Sequence, residues 1–373
     1  MMDFYYDLAG PEDDLALRRL IAETPMPGDL TSSFEREPGY FLGCSTMGHF
    51  CQVIVARCEE TGEVAGMLCR ACTPRFVNGR VEEVGYLTQL RVAQKYQGRH
   101  LLRGGKPFFM QCHADGRVRG YFLVAAAGNP AAHAAFMGRE SEGFPTLRPL
   151  DSIATLGIIV GRQRRQSLPA GVSLEPGHPD VLSDVVAFLQ REGARKQLFP
   201  CYREEDFISS GLTRDAHLED MAVAWRDGQI VGTAGLWDQS AYKQTVIRGY
   251  HGSLRWLRPL YNISLRGMGA QPLPQPGERL NFAWVSFICV ADDDAEVFDA
   301  LLHRIYNRAV ERGYAYLMLG FSERDALLAV ARRFRHITYR SRIYVFDLDP
   351  AGPAAGFAAS LDNRPCYVEV AQL

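Results

Sequence analysis

The stretch Leu87-Thr88-Gln89-Leu90-Arg91-Val92-Ala93-Gln94-Lys95-Tyr96-Gln97-Gly98-Arg99-His100-Leu101-Leu102 decides the fold. It reads as the end of an apolar strand, a polar turn holding one glycine, and the first turn of a helix. A helix N-terminus leaves four backbone N–H groups unpaired, and the macrodipole adds partial positive charge there. Gly98 lets an anion approach the backbone closely. Arg99 and Arg103 add positive charge, with Lys95 nearby, so the turn has the makings of a phosphate cradle. The plainer reading is a helix start that merely needs a glycine.

Outward from this turn the chain alternates strands and helices. Phe50 to Arg57, Val64 to Arg75 and Val81 to Val92 read as strands, the last two joined by a hairpin at Asn78-Gly79. Upstream, residues 11 to 24 read as a helix with Leu15, Leu17, Leu20 and Ile21 on its apolar stripe, and Met26 to Gly48 as loop. Downstream, a helical run reaches about His113. Pro107 is expected to kink or interrupt it near Arg103, and Gly104 and Gly105 to weaken it. Gly120 to Ala127 reads as a strand, Pro130 to Met137 as an Ala-rich helix, and Thr146 to Val160 as two strands. The basic segment Gly161 to Gly171, punctuated by Pro and Gly, reads as a linker. The expected division is therefore 1–163 and 164–373.

The second half repeats the order. Pro179 to Gln190 reads as a helix; Met221 to Arg226, Gln229 to Trp237, Tyr242 to Tyr250 and Asn281 to Val290 as strands; Ala295 to Arg312 as an amphipathic helix closed by Gly313. Tyr314 to Leu319, Ile337 to Asp347 and Cys366 to Val370 read as strands, with a helix over Ser322 to Phe334. Two halves with one order of elements imply a duplication. At the turn equivalent to Gln97–Leu102, however, the second half has Ala291-Asp292-Asp293-Asp294-Ala295-Glu296. Carboxylates suit a helix N-terminus, but they fill a phosphate's place and repel it. The insert Tyr250 to Leu280, with Trp256, Tyr261 and several Arg, and the preceding Trp237, Asp238, Tyr242, Lys243 and Gln244, are unusual; the insert reads either as a lid or one wall of an acceptor site or as a plain surface excursion.

Composition narrows the class. The 373 residues, 47% hydrophobic and 23% charged, suit an ordinary globular protein of two domains. Lys plus Arg number 41 against 43 Asp plus Glu, a net of −2, which argues against a protein that grips nucleic-acid phosphates. No apolar run approaches the ~18 residues needed to cross a bilayer, and Met1 to Asp7 has no signal-peptide character. Nine irregularly spaced cysteines suit cytosolic thiols. Cys69-x-x-Cys72 lies in a strand-like stretch without the second pair a zinc site wants. The expectation is a cytoplasmic protein with no metal, no nucleic-acid partner and no membrane partner.

The strand ending Leu90-Arg91-Val92, the turn Tyr96-Gln97-Gly98-Arg99, a following strand and Asn129-Pro130-Ala131-Ala132 resemble the GNAT N-acetyltransferase superfamily, in a tandem form with a degenerate second copy. The pattern is [RQ]-x-x-G-x-[GA] after the fourth strand and an Asn heading the helix after the fifth. With Gln97 at the first position, His100 and Leu102 replace the two small residues, and Gly98 takes the glycine that commonly follows the first Arg or Gln. The resemblance implies an α/β fold of two tandem GNAT-like domains, each a mixed, mostly antiparallel sheet flanked by helices. It implies an enzyme that moves an acetyl or related acyl group from acetyl-CoA, as co-substrate, to a small-molecule or peptidyl amine. It assigns Leu90, Arg91 and Val92 to the pantetheine arm. Gln97, Gly98, Arg99, His100, Leu101 and Leu102 fall to the pyrophosphate, and Asn129 to the cofactor beyond the thioester. The aromatic that usually protonates the leaving thiolate is Phe136 here, which has no hydroxyl, so His133 is the substitute. The strand position that often carries a Glu base is Tyr86, with Glu83 and Glu82 upstream and reachable through a bulge. The alternative from another class is a non-catalytic acyl-CoA-binding or sensing protein.

Overall fold

The structure, a computed structural model, describes residues 3–127, 145–208, 211–348 and 356–373. Strands in chain order are β1 Phe4–Leu8, β2 Leu30–Glu35, β3 Phe50–Cys58, β4 Val64–Val77, β5 Arg80–Val92, β6 Tyr121–Ala126 and β7 Arg148–Ile159. They continue with β8 Val172–Pro176, β9 Met221–Arg226, β10 Gln229–Trp237, β11 Gln244–Tyr250, β12 Phe282–Val290, β13 Tyr316–Ser322 and β14 His336–Phe346. The main helices are α1 Asp14–Glu23, α2 Leu101–His113, α3 Leu182–Gly193, α4 Glu204–Ile208, α5 Gly252–Gly267 and α6 Ala295–Arg312.

Twelve strands form one sheet in the order β1-β3-β4-β5-β6-β14-β7-β13-β12-β10-β9-β8. The order is close to a palindrome. Each half contributes an antiparallel run that ends in a parallel pair, β5 with β6 and β12 with β13. The last strands are exchanged between halves: β14 pairs with β6, and β7 pairs with β13 and with β14. Thr146 to Val160, read as two strands, is one long strand because it has a partner on both edges.

The exchange is reinforced elsewhere. The Met26–Gly48 stretch, read as loop, contains β2 and a 3-10 helix over Tyr40–Thr46. β2 finds its partner in β11 of the other half, 215 residues away at Ser33 and Arg248, which neither segment could reveal alone. The far end of β4 is bonded by Leu198–Cys201: Phe76 N–H donates to Phe199 O at 2.9 Å and Cys201 N–H to Pro74 O at 2.9 Å. Ser322–Phe334, read as a helix, is mostly turn, with a helix only at Leu328–Ala331. Cys366–Val370, read as a strand, does not join the sheet and closes in a 3-10 turn at Val370–Gln372.

Apolar clusters lie on both faces. One face of the first half packs Leu17, Leu20 and Ile21 of α1 on Val53, Cys69, Ala71 and Tyr86. The other packs Phe109 of α2 on Ile54, Leu68, Leu87 and Tyr121. α2 is continuous through Pro107, contrary to the expected break. Its ends are held by side chains from the sheet. Tyr6 of β1 donates its hydroxyl to Leu101 O at 2.8 Å. Buried Arg70 of β4 grips Asp115 just beyond the helix with two bonds of 2.8 Å. No described helix is long and apolar enough to cross a membrane.

Candidate active site

β5 and β6 are in register only from Gly85–Tyr121 to Leu87–Leu123. Beyond Leu87 they part, leaving a gap whose wall is Thr88–Val92 on one side and Val124–Ala126 on the other. A bulge marks the parting: Gln89 has φ 56°, and the register with β4 shifts between Met67 and Cys69. Leu90, Arg91 and Val92, which the resemblance assigns to the pantetheine arm, run along this wall.

The chain then turns through Gln94–Tyr96, with Tyr96 buried as the anchor. Gly98 has φ 74° and nothing within 4 Å of where a Cβ would stand. His100, at φ 56°, is the residue before α2, and no side chain caps the helix. The first helical bond runs from Gly104 N–H to His100 O at 3.0 Å, so the N–H groups of Leu101 and Leu102 lie ahead of the ladder. Gln97, Gly98, Arg99 and His100 are exposed, while Leu101 is buried against Ala56, Cys58, Ala65 and Tyr96. A backbone open to solvent, a glycine with room above it and an uncapped helix N-terminus fit a pyrophosphate. Lys95 is paired with Glu63, so its charge is already compensated.

The equivalent gap in the second half is filled by the protein itself. β12 and β13 part beyond Trp284–Met318, and the bulge residue is Phe287, φ 56°. Its N–H donates to the Glu369 carboxylate at 3.0 Å. Val370 lies so close to β13 that a Cβ on Gly320 would stand 2.2 Å from it. Asp294 caps α6, accepting from Glu296 N–H at 3.0 Å and Val297 N–H at 3.2 Å. Asp293 pairs with Lys196 at 3.0 Å.

Between the two gaps lies a buried polar wall that sequence reading missed. Arg75 of β4 is 1% exposed, donates to Leu198 O at 2.8 Å and sits 4.9 Å over the Phe122 ring. Burial pulls its pKa down to about 10, against the opposing influence of Tyr202, Tyr86 and Glu369. Glu369 is pushed up by burial, while bonds from Phe287 N–H, the Tyr367 hydroxyl and Ala371 N–H act in the other direction. Lys243 is half-buried, donates to Ala371 O at 2.8 Å, and is held well below the usual lysine range by desolvation and by Arg36. Reading Cys366–Val370 as a strand hid Glu369. No local pattern marks Arg75 as interior.

The expected catalytic groups are not brought together. Tyr86 is 3% exposed and stacks on Phe122 with ring centroids 4.7 Å apart, and burial pushes its phenol up to about 12. Glu83 is exposed, three positions along the strand, and therefore faces the opposite side. The bulge falls after Tyr86, at Gln89, so it does not turn Glu82 or Glu83 inward, and Glu82 instead pairs with Arg119 at 3.3 Å. Asn129, His133 and Phe136 lie outside the described residues. Of the second-half residues singled out, Trp237 and Tyr242 both donate to Arg214 O, at 2.7 and 2.8 Å, and Gln244 clasps the Glu37 backbone at 2.9 and 2.8 Å.

Cys69 and Cys72 also face opposite ways, one in each apolar cluster, as residues three apart on a strand must. Cys69 instead meets Cys51, with sulfurs 3.1 Å apart, and the sulfurs of Cys44, Cys51 and Cys69 all lie within 4.8 Å of one another.

This fold is shared with solved GCN5-related N-acetyltransferases and N-myristoyltransferases, the GNAT fold. A GCN5-related N-acetyltransferase from Sphaerobacter thermophilus superposes with a TM-score of 0.59 at 14% identity, over 94% of this chain and 98% of that one. Saccharomyces cerevisiae N-myristoyltransferase with bound myristoyl-CoA superposes with a TM-score of 0.60 at 11% identity, over 98% of this chain and 88% of the other. The glucosamine N-acetyltransferase region of a fungal multi-domain β-N-acetylglucosaminidase gives 0.61 at 14% identity, over 93% of this chain and 38% of that one. No family model matches the sequence, and no curated protein matches it.

Proposed function

We propose that the protein transfers an acyl group, acetyl or a related one, from acyl-CoA to an amine. The carrying observation is the contrast between the gaps: the first ends at an uncapped helix N-terminus with an open glycine, while the second is occupied by Glu369, Val370 and Asp294. The pantetheine arm would lie along Leu90–Val92 and the pyrophosphate at Gln97–Leu102. The fold of the structural neighbours, one of them carrying myristoyl-CoA, supports this reading.

The bulges suggest how a thioester would be activated. In the second half the N–H of the bulge residue Phe287 points at a carboxylate oxygen. The equivalent N–H, of Gln89, would therefore face the first gap and stabilise the oxyanion as the amine attacks the carbonyl carbon. The carbon–sulfur bond then breaks, CoA leaves as the thiolate, and the amine's proton passes to water or to an interior base. Tyr86 is not that base, since its phenol stays neutral up to about pH 12. Most of the rate comes from positioning. The acceptor cleft is shared between halves, with the β2–β11 sheet and the Arg75–Glu369 wall as its boundaries.

Calorimetric titration with CoA should give one site per chain, and thiol release from acetyl-CoA should appear with some member of an amine panel. Two sites per chain would overturn the assignment of live and filled gaps. The position of Tyr86 favours a second reading, binding without turnover, and CoA binding with no thiol release for any amine or acyl chain would establish it.

A further inference from the structure

α5 is amphipathic in the inverted sense. Leu254, Arg258, Asn262 and Leu265 face the protein, and Arg258 is turned inward over the Tyr250 ring at 4.9 Å. The outward face is apolar: Trp256 is 77% exposed, Leu260 65%, Ile263 64%, Tyr261 50% and Leu257 45%. Scattered exposed apolar residues are ordinary, but five large ones on one projecting helix mark an interaction surface.

Charge selects the occupant. From His251 to Gly277 the chain contains three Arg and no Asp or Glu. At 100° per residue, Arg255 and Arg266 lie on one flank of the apolar face. Beyond its C-terminal end, Arg335 contacts Met268 and Arg162 lies against Gly269. Five partly exposed side chains offer on the order of 600 Å² of apolar surface, below the ~800 Å² per partner of a stable protein–protein interface. Docking two copies through this face would also bring arginine flanks together without acidic counterparts. An apolar strip with Trp and Tyr, edged by arginines, with no acid of its own and with Asp29 only beside its first residue Gly252, matches the boundary between acyl chains and anionic headgroups.

We propose that α5 docks the protein on an anionic lipid surface, with Trp256, Leu260 and Ile263 entering the acyl boundary and Arg255 and Arg266 facing the headgroups. This revises the sequence expectation of no membrane partner, which rested on the lack of a spanning segment; a helix lying in the interface needs none.

The test is co-flotation of the full chain with vesicles of phosphatidylcholine alone or mixed with phosphatidylserine. Binding is expected to the mixed vesicles, to weaken as salt rises, and to bring a blue shift of tryptophan emission that Trp256→Phe removes. Leu260→Glu with Ile263→Glu should lower binding at least tenfold. Arg255→Glu with Arg266→Glu should do the same for mixed vesicles. All four positions are exposed, and circular dichroism checks that the variants stay folded. Failure to bind either vesicle would overturn the proposal, as would equal, salt-insensitive binding to both. Concentration-dependent dimerisation abolished by Leu260→Glu would overturn it in favour of a second copy.

Discussion

At Gly98 the left-handed backbone and the empty space above it meet in one residue, and each makes a different substitution informative. Gly98→Asp adds a side chain's bulk at the point of close approach, on a left-handed backbone that Asp, like Asn, can adopt, and about 1 kcal/mol of repulsion per charge pair with a dianion. CoA affinity should fall roughly a hundredfold or more. Gly98→Asn, which accepts φ > 0 and carries no charge, should cost at most about tenfold. Asp293→Asn in the second half should leave affinity unchanged. Isothermal titration calorimetry reads all three, and equal losses for Asp and Asn would show that charge plays no part. Tyr86 yields a second prediction of its own. Its phenol is pushed up to about 12 by burial, so it stays protonated and neutral at every pH below that. Tyr86→Phe should therefore leave the pH–rate profile unshifted between about pH 6 and 9 and the rate within about tenfold. A lost limb or a larger drop would restore Tyr86 as an acid–base group.

α2 shows why a sequence rule for an element can be right about cost and wrong about outcome. Gly104 and Gly105 each weaken a helix by about 1 kcal/mol relative to Ala. They stand where β1 crosses the helix: a Cβ on Gly104 would lie 2.4 Å from the Tyr6 hydroxyl, and one on Gly105 2.8 Å from its ring. The same hydroxyl bonds Leu101 O at 2.8 Å, fixing the turn that opens the candidate site. Gly104→Ala should thus destabilise by about 1–2 kcal/mol, because the overpacking and lost hydrogen bond exceed the gain in propensity. In a Tyr6→Phe background the clashing atom is gone, and Gly104→Ala should be neutral or stabilising. Thermal or urea unfolding of the four proteins makes the double-mutant cycle. Additive effects would mean that the glycines serve something other than the crossing.

At the scale of the molecule the two halves are separate in sequence but interlocked in the sheet. We propose 1–163 and 164–373 as the ancestral units, yet residues 1–163 carry β7 without either of its partners. They also leave β6 without β14, its partner from Ser341–Ala126 to Phe346–Tyr121. Unpaired edges of this length aggregate. Expressed alone, 1–163 should be insoluble or unfolded, and co-expression with 164–373 should recover soluble complex. A folded, monomeric 1–163 fragment by heteronuclear NMR would show that the exchange is dispensable.

The sequence by itself determined the locally encoded elements and the most telling turn. Strand alternation, the Asn78-Gly79 hairpin and the Gly98 helix start are local, set by side-chain period and backbone sterics within a dozen residues. The acidic turn at Asp292–Glu296 was likewise legible as ill suited to phosphate, and in the structure Asp294 caps α6 while Asp293 pairs with Lys196. Tertiary structure alone decided what meets across the chain. It set the exchange of β7 and β14, the pairing of β2 with β11, and the burial of Arg75. It also put Glu369 and Val370 into the second gap. Those contacts join residues dozens to hundreds of positions apart. Their energy depends on which surfaces the whole sheet leaves uncovered, a quantity that no local window contains.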